Sequence, residues 1–251
     1  WIPYFSAHVL SGLDMYLQKY KKIWKVLPER VFKDVCNPLK TIYEKPVLSH
    51  RAKGYSDYLI WRFNELIDQM GIEGVYLDHG PVINSYNPYH SIKCSILEEY
   101  GGALDIYGLR LFLKRLNTLF YKKGKSSFIF LHISNREVIP AYGFAHGLIN
   151  GEQYRRRLQN GDYLKIVGID EFRTRFSTRQ YGIKTYWLPV AWTNHKTDKK
   201  KWYGSESQKL TYRKEKALAL LHDIGLWPIG AHPLERNKLI RILDGFGINK
   251  A

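Results

Sequence analysis

Residues 55–80 read YSDYLIWRFNELIDQMGIEGVYLDHG. In the first two thirds, Leu59, Phe63, Leu66, Ile67 and Met70 recur at the spacing that lines one face of an α-helix. This predicts a helix over Tyr55–Met70, with Ser56 as its N-cap and Gly71 as its stop. The last third, Gly74–Asp78 (GVYLD), is a short apolar run of strand length that ends on a carboxylate. A helix feeding through a short turn into a buried strand is half of a β/α repeat.

Outward from this unit the alternation continues. Strands are predicted at Ile2–Ser6, Ser127–Ile133, Gly147–Asn150, Thr185–Val190 and Leu226–Ile229. Helices are predicted at Leu13–Trp24, Asp105–Tyr121, Leu210–His222 and Leu234–Leu243, with a helical turn near Pro140. The DVCNP segment reads as a loop with a short extended piece. Strands alternating with helices imply a parallel sheet. The 251 residues suit one α/β barrel of about 250 residues. The expected fold is therefore a (β/α)8 TIM-barrel-like domain over 1–251. Six strands are legible where a barrel has eight, so a partial barrel lacking the first strand-helix units is expected.

Composition narrows the function. The chain is 45% hydrophobic and 25% charged, with 19 Tyr, 7 Trp and 11 Phe. Such rings stack on pyranose faces, although most large aromatics serve the core. The formal net charge of +16 favours acidic partners. The basic residues are scattered, however, and no zinc finger or aromatic RNP box occurs, so nucleic acid is not the expected partner. No apolar run reaches the length of a membrane span, so no membrane partner is expected. Cys36 and Cys94 fit no zinc pattern; one disulfide and two free thiols both remain open. There is no HExxH, no glycine-rich phosphate loop and no GxSxG elbow. No metal or cofactor is expected, and a serine hydrolase is disfavoured.

In a β/α fold the active site collects at the C-terminal strand ends. Those ends carry Ser6 and His8; Asp78 and His79; His132, Ser134 and Asn135; Asn150, Glu152 and Gln153; Trp192, Asn194 and His195; and Ala231 and His232. Asp78 stands out, because a carboxylate directly after an apolar strand is costly to bury without a task. Glu152 is the second candidate. A pair of carboxylates is what glycosidic cleavage requires: one acid protonates the leaving oxygen, and one carboxylate attacks the sugar or activates water. Asp78 is the expected nucleophile or base and Glu152 the expected acid. Tyr86, His132, Trp192 and His195 are expected to line the sugar pocket, with Ser134 and Asn150 beside them. Glu98 and Glu99 are weaker candidates in the long loop after Asp78.

The segments YSDYLIWRFNELIDQMGIEGVYLDHG, YGLRLFLKRLNTLF and FLHISNREVIPAYGFAHGLINGEQY resemble a family of uncharacterised glycoside-hydrolase-like (β/α)-barrel domains found in large bacterial proteins. The likeness rests on the order and spacing of the YLD and GEQ strand ends and is strongest over Tyr55–Gln153. It implies Asp78 and Glu152 in the site, with His132 and Ser134 nearby. It also implies an exported protein, extracellular or periplasmic, acting on a poly- or oligosaccharide. His146, in GFAH, departs from the acidic residue expected there in many relatives. Two other readings are a non-catalytic carbohydrate-binding barrel and a basic scaffold for an anionic polymer.

Overall fold

A computed structural model describes residues 1–36, 41–90, 102–134, 136–154, 167–177, 182–189 and 206–227, with positions 237, 238, 241 and 245. The chain divides into two compact units, Trp1–Gly147 and Leu148–Ala251. It is a mixed α/β protein.

The first unit contains β1 (Tyr4–Ser6), α1 (Met15–Trp24), β2 (Val31–Cys36), β3 (Thr41–Pro46), α2 (Tyr55–Met70), β4 (Gly74–Asp78), β5 (Asn84–Ser85), β6 (Ala103–Leu104), α3 (Ile106–Lys122), β7 (Phe128–His132) and α4 (Ile139–Tyr142). Strands β1, β4 and β7 are parallel neighbours, as the alternation requires. Tyr4 lies opposite Tyr76 and Ser6 opposite Asp78 across β1 and β4; Tyr76 lies opposite Phe130 across β4 and β7.

Side chains alternate across a strand. Val75, Leu77, Ile129 and Leu131 are fully buried on one face. Phe5 shares that face and meets Phe63 of α2 edge-on at 5.2 Å, so this is the helix-covered side. Phe63 in turn lies 6.4 Å from Phe112 of α3. The opposite face therefore carries Tyr4, Ser6, Tyr76, Asp78 and His132, and the register brings these polar groups together.

The α2 and β4 bounds match the sequence expectation. Gly71 ends α2 with φ 62°, its N–H donating to the Ile67 carbonyl at 3.0 Å. The helix begins differently. Gly54, left-handed at φ 85°, precedes Tyr55, while Ser56 Oγ sits 3.0 Å from His50 Nδ1 rather than capping the helix. Met70 is exposed, outside the buried stripe of Tyr55, Leu59, Phe63 and Ile67. Residues read as a loop form the antiparallel hairpin β2–β3, with Val31 opposite Pro46 and Cys36 opposite Thr41.

The second unit contains β8 (Gly147–Asn150), which begins at its boundary, α5 (Ile169–Phe176), β9 (Lys184–Trp187), α6 (Glu206–Leu221) and β10 (Gly225–Leu226). Strands β9 and β10 are parallel, and the Leu188 N–H donates to the Asn150 carbonyl at 2.7 Å. Tyr154, Val167, Phe172, Phe176, Trp187, Leu218, Ala219 and Ile224 form its core. Helix α5 was not expected from the sequence. Most of the expected terminal helix lies outside the described residues, as does Cys94.

Asp105 joins the first unit's segments. It immediately precedes α3, is fully buried, and accepts from Ser49 Oγ at 2.9 Å and the His50 N–H at 2.5 Å. Burial pushes its carboxyl up to about 7, against the pull of these hydrogen bonds. Between its unfolded value of about 4 and about 7, the native state holds a proton that the unfolded chain has lost, so stability falls as pH rises through that window. Denaturant midpoints should show this fall in the wild type and a smaller one in Asp105→Asn. Equal slopes would show that Asp105 does not titrate there.

Candidate functional site

The polar face of β1, β4 and β7 converges on Asp78. The Tyr4 hydroxyl donates to Asp78 Oδ2. His132 Nδ1 lies 3.0 Å from Oδ1, His79 Nδ1 lies 3.5 Å from Oδ2, and the His79 backbone N–H donates to Oδ1 at 2.7 Å. Burial alone would raise the carboxyl's pKa. Hydrogen bonds from His132 and Tyr4, with the adjacent His79, outweigh it and hold Asp78 well below the usual carboxylate range. Asp78 is thus an ionised carboxylate with directed donors on both oxygens.

His132 extends the network. An ionised carboxylate can only accept, so His132 Nδ1 carries the proton directed at Asp78. The Tyr76 hydroxyl lies 3.0 Å from the same nitrogen. In the neutral ring Nε2 is then an acceptor, and Ser134 Oγ lies 2.8 Å from it. The result is an Asp78–His132–Ser134 chain of hydrogen bonds. His132 and Ser134 are two residues apart at the end of β7, where alternation turns both the same way.

Two local backbone features hold the site open. His79 has φ 53°, a left-handed conformation that costs a non-glycine residue about 1–3 kcal/mol and is typical of functional sites. It turns the ring toward Ser6 Oγ at 3.1 Å and Phe32 at 4.7 Å. Gly80 follows, donating its N–H to the His132 carbonyl at 2.9 Å. A Cβ at Gly80 would lie 2.8 Å from that carbonyl and 2.4 Å from the Leu131 side chain, so only glycine fits this crossing. A cavity of about 710 Å³ opens beside the network. His8, Arg30, Phe32, His79, Ser134 and Arg136 are among its lining residues.

His132 and Ser134 therefore join Asp78 in one hydrogen-bonded chain. Tyr86 is an exposed residue whose N–H donates to the Leu27 carbonyl, and it does not line this cavity. Asn150 is buried; its Oδ1 accepts from the Gly151 N–H and from Gln153 Nε2, both at 2.8 Å. It shapes the turn that carries Glu152, which lies on a single 3₁₀ turn, Glu152–Tyr154, of the second unit. Trp192, His195, Glu98 and Glu99 lie outside the described residues. His146 sits at the other end of β7, its Nδ1 3.3 Å from the Ile129 N–H. That is three residues, about 10 Å, before His132, so its departure from the family pattern does not touch the Asp78 network.

Sequence reasoning missed Tyr4, Tyr76, Arg30 and Arg136, and named His79 only as the strand-end neighbour of Asp78. Tyr4 and Tyr76 had a weak signal, since each stands two residues before a strand-end polar group, on the same face. The arginines had none.

No family model and no curated protein matches the chain. Solved structures that resemble it distantly include two carbohydrate-processing enzymes. One is a Paenibacillus cycloisomaltooligosaccharide glucanotransferase (TM-score 0.45, 11% identity), over 75% of this chain and 26% of that one. The other is an α-galactosidase from Thermus thermophilus in complex with stachyose (TM-score 0.45, 14% identity), over 94% and 48%. The chain thus spans from about a quarter to about half the length of these structures.

Tyr4→Phe removes one donor from Asp78 and keeps the ring stacked on Tyr76. The Asp78 carboxyl should then titrate at higher pH in a ¹³C NMR titration. An unmoved titration would mean that Tyr4 does not contribute to holding the charge.

Proposed function

We propose that this chain is a carbohydrate-active hydrolase that cleaves O-glycosidic bonds at the Asp78 site. The observation that carries the reading is Asp78 itself, a carboxylate at the end of a parallel strand, kept ionised by directed donors beside a cavity large enough for sugar rings. A permanently charged carboxylate suits attack on an anomeric carbon, or activation of water against it, better than proton donation. Asp78 takes that role. Glu152 is the proposed acid on the strength of its position just after β8 and of the sequence resemblance. In the reaction the glycosidic C–O bond breaks, the acid's proton goes to the leaving oxygen, and the anomeric carbon bonds to Asp78 or to water. Trp192 and His195 remain proposed sugar contacts from the sequence reading alone. A (β/α)-barrel arrangement and export from the cytoplasm belong to the same proposal.

One observation favours a second reading. The hydrogen-bonded order Ser134–His132–Asp78 is that of an acyl-transfer triad, and Ser134 lines the cavity. Ser134 would attack an acyl carbon while His132 Nε2 takes the hydroxyl proton, and the ester's C–O bond would break as its alcohol leaves with that proton.

Three variants separate the readings on panels of aryl glycosides and aryl esters. For a glycosidase, Asp78→Asn and Glu152→Gln should each lower glycoside turnover by about 10²-fold or more, the scale of one general acid–base contribution, while Ser134→Ala keeps most of it. Loss of ester turnover in Ser134→Ala, with fluorophosphonate labelling of wild-type Ser134, would establish the acyl-transfer reading instead. Near-normal glycoside turnover in both amide variants would end the glycosidase reading.

A further inference from the structure

The cavity beside Asp78 has a second set of polar groups that the proposed chemistry does not use. Arg30 Nη2 donates to the Asn84 carbonyl at 2.9 Å, and Arg136 Nη1 donates to the Val82 carbonyl at 2.7 Å. Between them the Ile83 carbonyl accepts from the Asp105 N–H at 2.9 Å. The alternation is that of extended backbone, so the Val82 and Asn84 carbonyls point the same way, about 7 Å apart. Two guanidiniums from distant parts of the chain are thus moored side by side at the cavity wall. Each has five N–H donors, and mooring engages one nitrogen of each fork. Glu29, the acidic neighbour of Arg30 in sequence, is engaged with Lys25 at 2.8 Å. Bringing the two cations together is unfavourable: after burial, repulsion from Arg136 is the further influence that lowers the Arg30 pKa.

His8 adds an independent observation. It lines the same cavity and is only 1% exposed. Burial lowers its pKa to about 4, so the ring is neutral at physiological pH. Its Nδ1 faces the Leu48 carbonyl at 3.1 Å and must carry the proton. Nε2 is then an acceptor, and it is buried with no hydrogen-bond partner. A buried acceptor without a donor is unfavourable, and a ligand hydroxyl would relieve it.

We propose that this cavity binds a carbohydrate carrying an anionic substituent, a carboxylate or a sulfate ester, with Arg30 and Arg136 clamping the anion and His8 Nε2 accepting from a sugar hydroxyl. The inference rests on the carbohydrate reading above and names its substrate class. Paired guanidiniums suit planar carboxylates and sulfate oxygens through forked hydrogen bonds. The net charge of +16 acts in the same direction, drawing an acidic polymer toward the surface.

The test is calorimetric titration of the whole chain with three oligosaccharides of equal length, one neutral, one uronic and one sulfated, and with a single-stranded oligonucleotide. At least one acidic sugar should bind about tenfold or more tighter than the neutral one, the worth of one charge-assisted hydrogen bond. Whichever acidic arm binds better names the anion. Arg30→Gln and Arg136→Gln should each remove most of that preference, as expected when a charged contact is lost. Lys122→Gln, an equal charge loss at an exposed site on α3, should leave the preference intact. Equal affinity for neutral and acidic sugars would overturn the clamp while the carbohydrate reading stands. Acidic binding that the arginine variants leave unchanged would also overturn it, as would tighter binding of the oligonucleotide. Binding of no saccharide at all would remove the carbohydrate reading and the clamp together.

Discussion

The first unit is organised around one electrostatic requirement: a negative charge on Asp78, half-buried at the end of β4, must be compensated. Burial works against that charge, and the surrounding sequence answers with a tyrosine from β1, a histidine from β7 and the neighbouring His79. These donors reach Asp78 only if three strands run parallel in a fixed register. A slip of one residue would turn Tyr4 and His132 to the helix-covered face and leave the carboxylate unpaired. The register is fixed in turn by the apolar side, where Phe5, Leu77 and Leu131 must stay beneath the helices. Core and site are two faces of the same ladder.

The compensation also sets the role proposed for Asp78. A carboxylate held ionised by directed donors is poised for attack or for base chemistry, not for giving up a proton. His79 is left-handed and Gly80 crosses close to the His132 carbonyl, and His79 and Ser134 line the cavity next to the strand ends. Arg30 and Arg136 line the same cavity as His79 and Ser134. In the proposed reading, an anionic ligand group would be attracted to the two arginines.

How much of this was legible in the sequence follows from how local each signal is. Helix α2 and strands β4 and β8 were readable because their patterns are complete within a few residues and end at clear stops: Gly71 for the helix, Asp78 and Asn150 for the strands. Asp78 was readable because a charge at the end of an apolar run is locally anomalous. The β2–β3 pairing was not, since the asparagine and proline of DVCNP read as a break; which strands pair is not a local property. Ser56 was misjudged as a cap because Gly54, free to turn left-handed, already begins the helix. Tyr4 and Tyr76 depend on register between strands, and a sequence does not print register. Arg30 and Arg136 are two of 39 basic residues, distinguished only by the carbonyls that moor them.

The central claim is that Asp78 faces the reacting carbon of a glycoside. Chemical rescue tests it most directly. In Asp78→Ala, the space and the missing charge should admit azide, which should restore turnover of an activated aryl glycoside and yield a glycosyl azide, whose anomeric form would also report the stereochemical course. A correctly folded Asp78→Ala protein that releases no glycosyl azide, or that turns over without any rescue, would contradict it.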